Sequence, residues 1–361
     1  MTLEVAKVDD IDTQHAGAVR EVLGMELATV TRIGGGRNSR VYRVLGAGIN
    51  AVAKFYFGTT ADGRDRLQTE YSAFSFLRKQ NIRCVPEPLV SDPTRRFAIY
   101  SFIDGAEIQI TSVSRGDIKH LVDFARQLKT VSQNTESHAI GPAAEACHSI
   151  SSTVSSIKER YDRLADIDIS GPSYRELRLF LKHEFEPVLA EVDEASRRLS
   201  GPHYADELPA ERRTLSPSDF GFHNALRRGD GQLVFLDFEY FGWDDPAKML
   251  ADALLHPKMD LSDDLRSHMT ELFQEVFGKD EDWRWRVAAL YPLFGLKWCL
   301  ILLNEFHAEQ LQRRCFVDQE REDSYGIQMR QLTAARRLLA RVAHERGDFP
   351  FWGRDADERR S

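Results

Sequence analysis

The sequence predicts an α+β fold of two lobes, an antiparallel sheet followed by a mainly helical remainder. Alternation of apolar residues at Arg40–Val44 and Ala51–Tyr56 marks neighbouring strands near the N-terminus. Helical patterns dominate later, at Ile118–Val131, Ser173–Arg198, Leu261–Phe277, Trp285–Glu309 and Asp323–Glu345. A length of 361 residues with 42% hydrophobic content suits two lobes, which the patterning places at 1–103 and 104–361.

Within the first lobe, Ala28–Phe57 reads as strand, glycine turn, strand, turn and strand. Gly34, Gly35 and Gly36 lack β-carbons, so their backbone can approach a triphosphate closely and offer amide donors. Most glycine triplets, however, are ordinary hairpin turns. Lys54 stands in the apolar strand Ala51–Phe57, where it either faces solvent from an edge or points inward to a fixed anion. The helix predicted over Asp65–Lys79 has Leu67, Tyr71, Phe74 and Leu77 on its apolar face. It also carries Glu70, a partner for an inward Lys54 or simply an exposed helix acid.

The stretch Leu215–Tyr240 spaces Asp219, Asn224 and Asp237 along a loop and a predicted hairpin. Its second arm, Leu233–Phe238, is apolar except for Asp237, and a carboxylate there is costly unless paired or bound to metal. If the arms pair, Asn224 and Asp237 can offer oxygens to one hard cation such as Mg²⁺. Asp219 would then receive or orient a substrate hydroxyl. An Asp-to-Asn loop followed by a metal-holding Asp is the division of labour at phosphoryl-transfer sites. Taken alone, Asp219 and Asn224 could equally make Asx turns and Asp237 could cap a strand.

The glycine triplet, strand lysine, helix glutamate and acidic loop occur in a fixed order. Together they resemble the aminoglycoside phosphotransferase and choline kinase-like family of small-molecule kinases, over roughly Thr29 to Phe306. The resemblance implies a two-lobed protein kinase-like fold, ATP and Mg²⁺ as cofactors, and a small-molecule hydroxyl as acceptor. Gly34-Gly35-Gly36-Arg37-Asn38-Ser39 looks like the family's nucleotide loop, and Ala53-Lys54 like its phosphate lysine, with Glu70 as the partner. Ser101, Phe102 and Ile103 fall where the family's hinge touches the adenine edge. Ser218-Asp219 through His223-Asn224 matches the catalytic loop, and Leu236-Asp237-Phe238-Glu239-Tyr240 the metal loop. In these terms Asp219 accepts the hydroxyl proton, while Asn224 and Asp237 hold the metal.

One position departs from the family pattern. The family commonly has a histidine two residues before the catalytic Asp, and Pro217 stands there; His223 is no positional replacement. The departure leaves a nucleotide-binding pseudokinase open as an alternative, beside an aminoglycoside-inactivating kinase. A protein kinase is disfavoured, because no Ala-Pro-Glu segment or long activation loop follows Asp237.

For the acceptor, Glu239, Tyr240, Trp243, Asp244 and Trp298 are candidates. The aromatics could hold a cation by cation–π attraction or could be core, and the acids could recognise amino groups or hydroxyls or be structural. Asp245-Pro246 reads as the N-cap and first residue of a helix. Lys297 could meet an anionic substrate or lie exposed.

A net charge of −8 argues against a nucleic-acid binder that relies on neutralising phosphates. Cys84, Cys147, Cys299 and Cys315 are scattered without a C-x-x-C spacing, so neither a zinc site nor a disulfide framework is expected. The polar, acidic opening Met1–Asp12 does not read as a secretory signal. The most apolar segment, Tyr291–Leu303, is short for a membrane span and contains Lys297. A cytoplasmic protein without membrane insertion is the expectation.

Overall fold

Residues 8–24, 27–36, 39–46, 48–57, 64–307, 324–346 and 349–352 are described by the computed structural model. Chain contacts divide the protein into two units. Unit 1 comprises Met1–Ala106 and Leu226–Phe241; unit 2 comprises Glu107–Ala225 and Gly242–Ser361.

In unit 1, helix α1 (Val8–Leu23) precedes strands β1 (Leu27–Gly36), β2 (Ser39–Gly46) and β3 (Ile49–Tyr56). Helix α2 (Arg66–Lys79) follows, then β4 (Pro88–Asp92), β5 (Phe97–Ser101) and the two-residue β6 (Ala106–Glu107). The five-stranded sheet has the order β1-β2-β3-β5-β4, with every pair antiparallel. Lys54 lies on the central strand, opposite Val41 on one side and Ala98 on the other. Val44, Ala51, Ala53, Phe55, Phe97 and Ile99 form the core with Tyr42 and Val19 from α1, and the Phe55 and Phe97 rings stack at 4.6 Å. The predicted glycine turn is instead strand: Gly34, Gly35 and Gly36 pair with Val41, Arg40 and Ser39. Residues 37–38, including Asn38, lie outside the described residues.

Helix α2 starts where Asp65 caps it, the carboxylate accepting the Gln68 N–H at 3.0 Å. Leu67, Phe74 and Leu77 are buried as the periodicity predicts, while Tyr71 is only partly covered. The later segment of unit 1, from Leu226, contains all of β8 (Ala225–Arg227) except its first residue, and β9 (Leu233–Phe235), where Phe235 N–H donates to Cys84 O. The strand predicted over Leu233–Phe238 stops at Phe235, because Asp237 takes a left-handed backbone with φ 64°. A residue there cannot continue the extended ladder.

Unit 2 is mainly helical. It contains α3 (Arg115–Ser132), α4 (Ile150–Ala165), α5 (Pro172–Leu179), α6 (Glu186–Ser200), α7 (Pro246–Leu255), α8 (Asp263–Phe277), α9 (Trp283–Leu302) and α10 (Ser324–Glu345). The predicted break at Pro187 is milder than a helix end, because a π-helical turn over Phe180–Phe185 links α5 to α6 and Pro187 falls in the first turn of α6. Proline is tolerated there because the widened π-helical turn just before it, which ends with Glu186 N–H donating to Leu181 O, carries the chain past a residue that has no N–H for the ladder.

Helix α9 packs against α4, α6, α7 and α10 and is the core helix of the unit. Its apolar stretch, Trp283–Phe306, is longer than the sequence suggested and long enough to cross a bilayer by length alone. In its most apolar 18 residues 72% is buried inside the protein, so that hydrophobicity serves the core.

Strand β7 (Thr214–Ser216) pairs antiparallel with β10 (Gly242–Asp244), placing Leu215 opposite Trp243. The backbone of 141–143 crosses so close to β10 that a β-carbon on Gly242 would lie 2.4 Å from Ala143 N. Trp243 O accepts from Ala143 N–H and Trp243 N–H donates to Gly141 O, which fixes that approach.

Candidate active site

In unit 1 the lysine points inward. Lys54 Nζ lies 2.6 Å from Glu70 Oε2 and 2.7 Å from Asp237 Oδ1, and its residue is only 8% exposed. Glu70 is buried and fully engaged: Oε2 also accepts from Tyr56 OH at 2.5 Å, and Oε1 accepts from Phe238 N–H at 3.2 Å. A buried carboxylate needs such donors to remain charged. Burial opposes the charge on Lys54, but Asp237, Glu70 and Glu239 outweigh it and keep the ammonium protonated well above the ordinary lysine range. Asp237 differs from Glu70 in being open, with 44% of its side chain exposed. Its left-handed backbone turns the carboxylate toward Lys54 while leaving it accessible.

The backbone groups predicted to form the hinge are partly committed. Ser101 N–H donates to Glu87 O and Phe102 N–H to Asn50 O. The Phe102 ring lies beneath the Arg43 guanidinium at 3.9 Å. No hydrogen bond engages the Ile103 N–H among the described residues. Glu239 is buried with Arg66 Nε 3.5 Å away, and the Tyr240 ring stands 5.7 Å from the Arg66 guanidinium. The first is a buried structural ion pair rather than an exposed recognition carboxylate.

In unit 2, β7 leads into the segment that carries Asp219 and Asn224. Ser218 is left-handed, φ 68°, and its N–H donates to Ser216 Oγ at 3.0 Å, which pays for part of the strain. Asp219 follows, and Asn224 closes a 3-10 turn over Phe222–Asn224. Asn224 Nδ2 donates to the backbone O of Asp219 at 3.0 Å, so its amide oxygen is the atom left for another partner. Burial opposes the charge on Asp219, but the hydrogen bond from His223 Nε2 at 2.8 Å, the nearby His256 and Asn224 bring its pKa down to about 2. Neither histidine was singled out for this role by the sequence. The Asp219-to-His223 spacing of four was visible, whereas His256 reaches the site only through the tertiary fold.

The remaining acceptor candidates fall into two groups. Asp244 is completely buried, its Oδ2 2.6 Å from Lys248 Nζ, and Lys248 also lies 3.3 Å from Asp252. That corrects the expectation of a recognition role, since an acid in this position serves to pair a buried lysine. Asp245 caps α7, accepting from Ala247 N–H at 2.8 Å, and pairs with Arg286. Lys297 is neither exposed nor free, being buried with Glu145 3.1 Å away. Trp243 donates its indole N–H to Ser137 O and lines a cavity of about 930 Å³ with Trp283, Phe277 and Lys129. Trp298 is half-buried, donates to Asp252 Oδ1 at 3.1 Å and stands edge-on to His256 at 4.4 Å.

A spectinomycin phosphotransferase in complex with ADP and spectinomycin superposes with a TM-score of 0.60 at 14% identity, covering 88% of this chain and 98% of that one. The choline kinase of Streptococcus pneumoniae gives 0.57 at 16% identity, covering 92% and 99%. An ethanolamine kinase of Plasmodium vivax gives 0.53 at 13%, covering 93% and 95%. At these identities the likeness establishes a kinase-like fold. No curated protein matches the chain by sequence. The pattern of the phosphotransferase enzyme family, by contrast, matches residues 29–291, which span the glycine strand, Lys54, Glu70, Asp219, Asn224 and Asp237. The chain belongs to that family and is an enzyme of the phosphotransferase class.

Proposed function

We propose that this protein transfers the γ-phosphoryl group of ATP, with Mg²⁺, to a hydroxyl of a small molecule, namely a sugar, amino sugar or amino alcohol. The observation that carries the reading is Lys54, held by buried Glu70 and shared with the accessible Asp237. Such a fixed ammonium beside an open carboxylate suits a phosphate chain and its metal. Neighbours of the same fold were crystallised with ADP or AMP, which supports the nucleotide.

In this reading, residues 1–103 bind the nucleotide, with the backbone of Gly34, Gly35 and Gly36 and with Asn38 and Ser39 serving the phosphates. Lys54, steadied by Glu70, grips them, and Ile103 N–H is the hinge donor left for adenine. Residues 104–361 bear the acceptor and Asp219, which orients the hydroxyl and accepts its proton as the phosphoryl group leaves ADP. The donors at Asp237 and Asn224 are hard oxygens, one an exposed carboxylate and one an amide oxygen whose nitrogen is already engaged, so both fit Mg²⁺. When bound, the metal neutralises charge on the phosphoryl oxygens. Tyr240 and Trp298 remain acceptor candidates because both are partly exposed.

The substrate class draws on the spectinomycin, choline and ethanolamine enzymes that share the fold. Acceptor-dependent ADP release from Mg·ATP, measured over pooled sugars, amino sugars, amino alcohols and aminoglycosides, tests it. A signal with one pool names the class. A signal confined to aminoglycosides favours antibiotic inactivation, and silence in all pools from protein that binds Mg·ATP contradicts the proposal.

A further inference from the structure

Asp219 has an unusual setting for a carboxylate assigned to proton transfer. His223 Nε2 lies 2.8 Å from its Oδ1 and His256 Nε2 lies 3.6 Å from the same oxygen. The two imidazoles are parallel within 3°, with centroids 3.8 Å apart. They come from different segments, His223 from the loop after Asp219 and His256 from the C-cap of α7. Position 217, two residues before Asp219, is a proline and has no side-chain donor to offer.

Several features fix the pair for contact with Asp219. His256 Nδ1 accepts the Lys258 N–H at 3.0 Å, so in the neutral ring the proton sits on Nε2, the nitrogen that faces Asp219. Trp298 stands edge-on to the His256 ring, and its indole N–H is held by Asp252, which is itself paired with Lys248. His223 Nδ1 is buried and has no partner among the described residues. The ring therefore forgoes a hydrogen bond on one side while directing its Nε2 to Asp219. Room for this pose depends on Gly221, where a β-carbon would lie 2.8 Å from His223 Cε1 and Nδ1 and 2.9 Å from Met259 Sδ.

Asp219, His223 and His256 are also close enough to resemble a metal site, with one ligand atom of each within 4.8 Å of the others. The chemistry of His256 opposes this. Ligation through Nε2 would move its proton to Nδ1, directly against the Lys258 N–H donor.

We infer that His223 and His256 are positioning residues: a stacked imidazole brace that fixes Oδ1 of Asp219 and so orients the carboxylate toward the acceptor hydroxyl. The inference rests on the assignment of Asp219 as proton acceptor. His223 makes the direct bond, and His256 supports His223 by stacking and adds a second donor toward the same oxygen. Neither ring need touch the substrate.

Steady-state kinetics of Asp219→Asn, His223→Phe, His223→Gln and His256→Phe, each with its melting temperature, test the brace. Phe keeps the ring face and removes the donor, whereas Gln restores an N–H near the position of Nε2. His223→Phe is expected to lower kcat roughly 10- to 100-fold, the scale of one hydrogen bond to a charged group, with KM for ATP unchanged. His223→Gln is expected to recover most of that loss, and His256→Phe to show a smaller loss in kcat. Full kcat in His223→Phe, with Asp219→Asn inactive, overturns the brace and leaves the role of Asp219 standing. Equal losses in His223→Phe and His223→Gln, tracking lowered melting temperatures, also overturn it, because packing alone then explains both. Wild-type turnover in Asp219→Asn removes the inference together with the assignment beneath it.

Discussion

Lys54 and Asp237, 183 residues apart in the chain, meet at 2.7 Å within unit 1, ammonium to carboxylate. The contact ties the strand that carries the lysine to the loop that carries the candidate metal ligand. Lys54→Met removes the shared cation and leaves Glu70 buried beside only its neutral donors. Breaking a buried pair from one side costs about 3–5 kcal/mol, so the variant should melt well below wild type. It should also lose roughly 100-fold or more in kcat/KM for ATP, measured at fixed acceptor.

Asp237→Asn keeps the shape and a weaker contact to Lys54 but removes the open charge. Thermal shifts separate metal from nucleotide here, since a ligand raises apparent stability only by binding the folded state. Wild type should be stabilised more by ATP with Mg²⁺ than by ATP with chelator. In Asp237→Asn that difference should largely vanish, and turnover with it.

Asp244 should behave as a structural acid. With its carboxylate wholly enclosed against Lys248, Asp244→Ala should cost about 3–5 kcal/mol in denaturant unfolding because it strands a buried ammonium. An acceptor contact would instead raise acceptor KM with stability intact.

Gly242→Ala should destabilise by about 1–3 kcal/mol, because the added methyl meets backbone rather than a movable side chain. Relief requires the 141–143 segment to move off β10 and lose its two bonds to Trp243. A melting temperature equal to wild type would show that the approach is looser than described.

Acid should weaken the protein through His256. Burial, with His223 beside it, lowers its pKa from 6.5 to about 3, against the opposing pull of Asp219. Between those values the unfolded chain binds a proton that the folded protein refuses, so stability falls as pH drops from about 6.5 toward 3. His256→Phe should flatten that part of the melting temperature–pH curve relative to wild type.

Much of this was legible in the sequence where local chemistry decides it. Asp65 and the 3.6-residue spacing of Leu67, Phe74 and Leu77 announce α2, and Asp245-Pro246 announces the start of α7. Lys54 was ambiguous by itself, and only packing could turn it inward to Glu70. The left-handed backbone of Ser218 and Asp237 left no mark, since neither residue type requires it. The glycine triplet suggested a turn because glycine favours turns, yet pairing with β2 holds it in strand. His256 was illegible for a different reason: it lies 37 residues beyond Asp219 and reaches it through the packing of α7. Asp244 and Lys297 misled because a charged residue is ordinarily exposed, whereas here each has a buried partner.

The most direct test of the central claim is transfer of radiolabelled γ-phosphate from Mg·ATP to a hydroxyl acceptor, with wild type and Asp219→Asn compared at saturating nucleotide. The account predicts labelled acceptor from wild type and a loss of roughly 100-fold or more in the mutant, with nucleotide binding nearly intact. Equal labelling by the two proteins would remove Asp219 from the chemistry, and absence of labelled acceptor from nucleotide-bound wild type across every pool would contradict the assignment as a small-molecule kinase.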